Sequence, residues 1–254
     1  MTTRPHSARP DISIVIPVLN EAAKIAADIE SVAGYCHGHG LTAEIIVSDD
    51  GSSDGTLEVA SRAGASLPEG VTLTTLDTDR HHGKGHAVRR GMLAARGEIV
   101  MFADSGANVP WKFLGIGRDL LREGLVQIAH GSRRLPGSRI VLPQSPLRRL
   151  LSGAFQYLAR AAAPVPKHLT DTQCGFKIYT REAARALYGA GVLDGFLFDL
   201  EIILRAGQAG YSISEFPIEW TCDRDSRIRM LSNTGRIAGE LWVLFRTFRL
   251  GRSS

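Results

Sequence analysis

The feature that most constrains this chain is an alternation in its first half. Short β-branched runs are separated by stretches with helical spacing, and several of the runs end in a cluster of polar residues. "DISIVIPVLN", closed by Pro17, reads as a buried strand, and "AEIIVSDDGSSDGT", "VTLTTLD" and "EIVMFAD" supply three more. Between them "EAAKIAADIESVAGYC", "LEVASRAGA" and "HGKGHAVRRGMLAARG" read as helices. Strand and helix taken in turn predict an α/β fold with a Rossmann-like, doubly wound, mostly parallel sheet. Ligands of such sheets bind beyond the carboxyl ends of the strands. Asn20 with Glu21, Asp49 with Asp50, and Asp104 all stand at such ends, so they are expected to converge on one edge.

The second half is less regular. "LVQIAHGSR" and "SISEFPIEWT" read as strands, and "TQCGFKIYT" as a strand or hairpin arm. Helices are expected over 147–163, in "REAARALYGAG" and in "LFDLEIILRAGQAG". The tail "GRIAGELWVLFRTFRLGRSS" reads as a basic amphipathic helix. Ile237, Leu241, Leu244 and Phe248 form its apolar stripe, and Arg236, Arg246, Arg249 and Arg252 supply charge. Such a helix is suited to lie in a membrane interface without spanning it.

A chain of 254 residues holds one large domain. The expected organisation is a flexible start over 1–10, a globular domain over 11–229, and an interfacial helix and tail over 230–254. A net charge of +4 lacks the dense basic clustering of nucleic-acid binders and fits an anionic small substrate or membrane surface. Cys36, Cys174 and Cys222 are far apart and odd in number, which predicts free thiols and a reducing cytoplasm. There is no run of about 18 apolar residues, and the first residues lack the apolar core of a signal peptide.

Four polar motifs carry the chemistry. At a strand end, one of Asp49 and Asp50 faces the cleft, where a carboxylate accepts hydrogen bonds from a base or ribose; turn chemistry in "DDGSSDGT" is the plainer reading. Lys84, between Gly83 and Gly85, suits close approach to a phosphate. Asp104 in "FADSGA" is a metal-ligand type, but Gly106 stands where a second carboxylate would be. His81, His82 and His168 read as solvent-exposed turn residues. "GKGHAV" lacks the three-glycine fingerprint of nicotinamide enzymes.

Taken in order, "IPVLNE", "VSDDGSSDGT", "GKGHA", "FADSGA", "GSR", "DTQCGFKIYTREAA" and "LFDLEIILRA" resemble the family 2 inverting glycosyltransferases, which share the GT-A fold. "DTQCGFK" looks most like the dolichyl-phosphate and polyprenyl-phosphate glucosyltransferases. The resemblance implies a UDP-sugar donor, with glucose the expected sugar, and a lipid-phosphate acceptor at the cytoplasmic face of a membrane. It places Pro17, Asn20, Glu21, Asp49, Asp50, Lys84, Asp104, Ser226 and Arg227 at the donor. It places Arg133, Arg148, Ser152 and Gln173 at the acceptor phosphate. Asp104 and Asn108 would hold Mg²⁺ or Mn²⁺, an ion that accepts few protein carboxylates when substrate phosphates and waters complete its shell. A phosphate acceptor needs little deprotonation. A hydroxyl acceptor would need a base, for which Asp171 and Asp199 are the candidates. A catalytically silent nucleotide-sugar-binding homologue is the remaining alternative.

Overall fold

The computed structural model describes residues 9–142, 164–222 and 234–249. Seven strands form one sheet in the order β3-β2-β1-β4-β7-β5-β8. β1 (Ile12–Val18) and β2 (Ala43–Asp49) are buried along their whole length. Their β-branched residues suit strands covered on both faces. β3 (Val71–Leu76) closes one edge, and its threonines are partly exposed as befits an edge strand. β1, β2, β3 and β4 (Ile99–Ala103) pair in parallel.

β7 (Phe176–Thr180) runs antiparallel between β4 and β5 (Ile128–Ser132), and β8 (Ile213–Pro217) pairs parallel to β5. The sheet is therefore mostly parallel, as expected, with one reversed strand. That reversal brings the start of β7 to the edge where β4 and β5 end, with Phe176 opposite Ala103. "SISEFPIEWT" is two strands rather than one. β8 stops at Pro217, which has no N–H to continue a ladder. β9 (Glu219–Thr221) pairs instead with β6 (Arg139–Leu142) in a separate small sheet.

Side chains of a strand alternate between faces, and β1 feeds two cores in this way. Ile12, Ile14, Ile16 and Val18 meet α1 (Ile25–Gly38), α2 (Thr56–Gly64) and α4 (Lys112–Arg122). Val15 meets α3 (Lys84–Ala94), α5 (Arg181–Ala190), α6 (Phe198–Ala209) and α7 (Thr234–Phe248). α4 has no counterpart in the sequence reading, although Leu114, Gly117 and Leu121 recur at helical spacing and are buried.

The stripe expected to face a membrane is part of the second core. Leu244 and Phe248 are buried, and Ile237 and Leu241 pack beside them. The outward face of α7 carries other residues. Trp242 is 60% exposed and stacks on Phe245, with Arg246 and Arg249 exposed nearby in sequence. Among the described residues no helix is long and apolar enough to cross a membrane. The helix expected over 147–163 lies outside the described residues.

Candidate active site

The carboxyl ends of β1, β2, β4 and β5 meet on one edge with the start of β7, and the polar motifs gather there. Asp104 follows β4 directly. Its N–H donates to the Gly175 carbonyl at 2.9 Å. Gly175 lies so close under the carboxylate that a β-carbon there would stand 2.1 Å from Oδ2. Only glycine leaves Asp104 this room.

Lys84 opens α3, and its Nζ lies 2.6 Å from Asp104 Oδ1. Burial works against the ammonium charge, but the carboxylates of Asp104 and Asp199 outweigh it and raise the Lys84 pKa. Behind this pair is a second one. Lys177 is fully buried on β7, donates to the Thr172 carbonyl at 2.9 Å, and forms an ion pair with Asp199 on α6. Burial raises the Asp199 pKa, against the pull of Lys177 and Lys84. Asp199 is thus engaged by Lys177 inside the protein.

A third pair occupies the other flank. Arg133, just past β5, grips the fully buried Asp171 through Nε at 2.6 Å and Nη2 at 2.8 Å, and its backbone N–H adds a third contact at 3.2 Å. Burial pushes the Asp171 carboxyl up, but Arg133 more than reverses this and leaves it below the usual range. The sequence reading made Asp171 a candidate base for a hydroxyl acceptor and Arg133 a clamp for an acceptor phosphate. The structure joins them, so Asp171 fixes the position of the Arg133 guanidinium. Gln173 donates its backbone N–H to Asp171 Oδ1 at 3.3 Å. Arg133 also lies over the Trp220 ring, 5.1 Å from its centroid.

Asp49 and Asp50 are both buried, and both are engaged by backbone. Asp49 accepts from Gly51 N–H at 3.0 Å, Ser52 N–H at 2.8 Å and the Ser52 hydroxyl. Asp50 accepts from His82 N–H at 2.9 Å and Gly83 N–H at 2.8 Å, and pairs with His81 Nδ1 at 2.7 Å. The turn-chemistry reading of these two aspartates therefore describes them well. Asp50 also holds the turn that presents Lys84. The loop after β1 is laced to the loop after β2. Asn20, at φ +57°, accepts from Ser53 N–H at 2.9 Å, and Glu21 N–H donates to Thr56 Oγ1 at 2.9 Å. Pro17 lies in β1 opposite Ser48.

After Asp104 the chain turns through Gly106 at φ +89° and Ala107 at φ +47°. Gly106 N–H donates to the buried Asp28 of α1 at 2.8 Å. Asn108 Nδ2 donates to the Ser105 carbonyl at 3.0 Å, which holds the amide in the loop. Asp104 accepts no directed hydrogen bond at Oδ1 beyond the contact with Lys84. With Lys84 against Oδ1, Asp104 Oδ2 and the Asn108 amide oxygen are the oxygen types here that a hard divalent cation accepts. The set is small, for among the described residues no group of three His, Cys, Asp or Glu side chains could hold a metal. It fits an ion held mainly by substrate phosphates and water.

Arg148, Ser152, Ser226 and Arg227 lie outside the described residues. Sequence reasoning missed Gly175, Lys177 and Asp28. Lys177 left one signal, a lysine in the middle of an apolar strand, where only an ion-paired lysine is tolerated.

Residues 13–188 match the family described as Glycosyl transferase family 2. The chain is 30% identical over 248 residues to the dolichyl-phosphate beta-glucosyltransferase ALG5C of Trichomonas vaginalis, across 94% of this chain and 72% of that protein. It is 31% identical over 228 residues to the dolichyl-phosphate beta-glucosyltransferase of Homo sapiens, across 83% and 67%. Among solved structures it resembles glucosyl-3-phosphoglycerate synthase from Mycobacterium tuberculosis in complex with Mn²⁺, UDP-glucose and phosphoglyceric acid. That match has a TM-score of 0.67 at 21% identity and covers 94% of this chain and 79% of the other. The fold is GT-A, and the chain belongs to the family 2 glycosyltransferases, close to the dolichyl-phosphate glucosyltransferases.

Proposed function

We propose that this protein transfers glucose from UDP-glucose to a polyprenyl phosphate with inversion at the anomeric carbon. One observation carries the phosphate acceptor. The carboxylates around Asp104 are already committed: Asp171 to Arg133, Asp199 to Lys177, and Asp104 itself to Lys84. A hydroxyl acceptor needs a free base within reach of its proton. A phosphate is anionic near neutral pH and needs none.

In this reading a phosphate oxygen of the acceptor attacks the anomeric carbon from the face opposite the leaving group. The new bond forms between that oxygen and the carbon, and the bond from the carbon to UDP breaks. The electron pair leaves with the diphosphate, and no proton moves. Two anions must approach each other, so the protein's work is positioning and charge neutralisation. Arg133, clamped by Asp171, keeps Nη1 for the acceptor phosphate. Lys84, held at the cleft by the Asp50 turn, faces the leaving diphosphate. Asp104 and Asn108 would hold a divalent ion, which supplies further stabilisation of that diphosphate.

The relatives act on a dolichyl phosphate by name, which supports a lipid acceptor and a site close to a bilayer. Trp242, Phe245, Arg246 and Arg249 on the outer face of α7 suit a peripheral contact at the cytoplasmic face of the membrane. The test is a screen of UDP- and GDP-sugars against polyprenyl phosphate and 3-phosphoglycerate, read by mass spectrometry. The expected product is a glucosyl phosphodiester of the lipid from UDP-glucose. Transfer to 3-phosphoglycerate alone would overturn the lipid reading.

A further inference from the structure

We infer that Arg236 of α7 is a donor-binding residue whose guanidinium meets the phosphates of the nucleotide at the Gly83–Lys84 turn, with Glu240 setting its orientation. The inference rests on the donor site proposed above.

The turn is shaped to admit this arginine. A β-carbon on Gly83 would stand 2.4 Å from the Asp194 carbonyl oxygen, 2.6 Å from Arg236 Nη2 and 3.0 Å from its Cζ. Gly83 also sits at φ +131°, a conformation open to glycine. Its N–H is tied on the other side to Asp50 at 2.8 Å. The Lys84 turn is thus bounded by the aspartate that ends the β2 segment, by the Asp194 carbonyl and by an arginine from the last helix.

Arg236 is oriented but not used up. Its Nε contacts Glu240 Oε1 at 3.3 Å, one helical turn further on. Glu240 is itself buried and accepts from Leu197 N–H at 3.2 Å, which fixes it to the segment before α6. Arg236 Nη1 and Nη2 have no acceptor among the described residues, and 38% of the side chain is exposed. Arg133, by contrast, has both Nε and Nη2 engaged by one carboxylate. A planar fork whose terminal nitrogens lie over the turn that presents Lys84 is the chemistry that recognises a diphosphate rather than a base or sugar.

Calorimetric titration of the full chain with UDP and with uridine tests this. Arg236→Gln is expected to weaken UDP binding by about tenfold or more while uridine binding stays within about twofold. Arg236→Lys keeps the charge and loses the fork, so an intermediate loss is expected. Arg122→Gln, an exposed basic residue in the last turn of α4, should bind UDP as the parent does. Unchanged UDP affinity in Arg236→Gln overturns the inference, and so does an equal loss for uridine. If Arg236→Gln does not fold, Arg236→Lys decides, with parental UDP affinity as the overturning result. A parent protein that binds neither UDP nor UDP-glucose removes the donor site itself, an outcome distinct from failure of Arg236 alone.

Discussion

The carboxylate of Asp104 rests on the backbone of Gly175, with room for no atom between them: a β-carbon on Gly175 would lie 2.1 Å from Oδ2. Two motifs separated by about 70 residues of chain are thereby made one object. Gly175→Ala must push the Asp104 side chain or the β7 entry aside. Overpacking of this kind costs roughly 1–3 kcal/mol, and a shift of about 1 Å at a reacting centre costs on the order of a hundredfold in rate. We therefore predict a folded protein with a modestly lower Tm and a kcat reduced about a hundredfold. Parental kcat in a folded Gly175→Ala would show that Asp104 is not held to a narrow position.

Asp104→Ala is predicted to abolish turnover, because it removes the carboxylate that both pairs with Lys84 and is available to a cation. The tempting repair, Gly106→Asp, should not strengthen a metal site. Gly106 sits at φ +89°, and its N–H is bound to Asp28. A side chain in that conformation costs about 1–3 kcal/mol. Thermal unfolding of Gly106→Asp should show a lower Tm, and titration with Mn²⁺ should show no gain in affinity.

The Arg133–Asp171 pair gives a thermodynamic cycle. Asp171→Asn leaves Arg133 largely enclosed without its counter-charge, and breaking one partner of a buried pair costs about 3–5 kcal/mol. Arg133→Gln leaves Asp171 fully buried and unpaired, with a similar cost expected. The double variant should be less unstable than the sum of the two. Urea unfolding measures all three, and strict additivity would show that the pair does not interact. Where folded protein is obtained, Arg133→Gln should raise KM for the lipid phosphate more than KM for the donor.

His130 carries a pH dependence. It is fully buried on β5, has no hydrogen-bond partner at either ring nitrogen among the described residues, and packs edge-on to Tyr179 with Lys177 nearby. Burial, with the Lys177 charge added, drives its pKa well below 6.5. The unfolded chain therefore binds a proton here that the folded chain does not, once pH falls below the unfolded value of about 6.5. Stability from this group is complete above that pH and declines as pH drops through it. His130→Leu should reduce the slope of stability against pH between about 5 and 6.5, as measured by urea unfolding. An unchanged slope would contradict the assignment.

For α7, truncation after Gly235 should unfold the protein, because Leu244 and Phe248 belong to the core. Trp242→Ser with Arg246→Glu and Arg249→Glu should leave the fold intact and weaken binding to vesicles containing anionic lipid, with the loss growing at low salt. Equal vesicle binding by parent and variant would move the membrane contact elsewhere.

Much of the sheet was legible because β-branched runs such as "ISIVIPV" have few alternatives to a doubly covered strand. The convergence of Asn20, Asp50 and Asp104 followed from the parallel topology, whereas Lys84 was placed beside them by the family resemblance. What stayed hidden were pairings between distant residues. Nothing local in "GSRR" says that Arg133 meets Asp171, or in "FKIYT" that Lys177 meets Asp199. The stripe Ile237, Leu241, Leu244 and Phe248 has the same periodicity whether it faces lipid or core, so spacing could not decide between them. α4 was missed because its buried face includes Gly117, which carries no hydrophobic signal.

In the proposed reaction the acceptor arrives already anionic and no carboxylate of this cleft acts as a base. The most direct measurement compares a polyprenyl phosphate with the matching polyprenol as acceptors for UDP-glucose under the same detergent and metal conditions. Glucosyl transfer to the phosphate and none to the alcohol is expected at any pH tested. Glucosylation of the polyprenol, with a rate that rises through the titration of a single carboxylate, would contradict it.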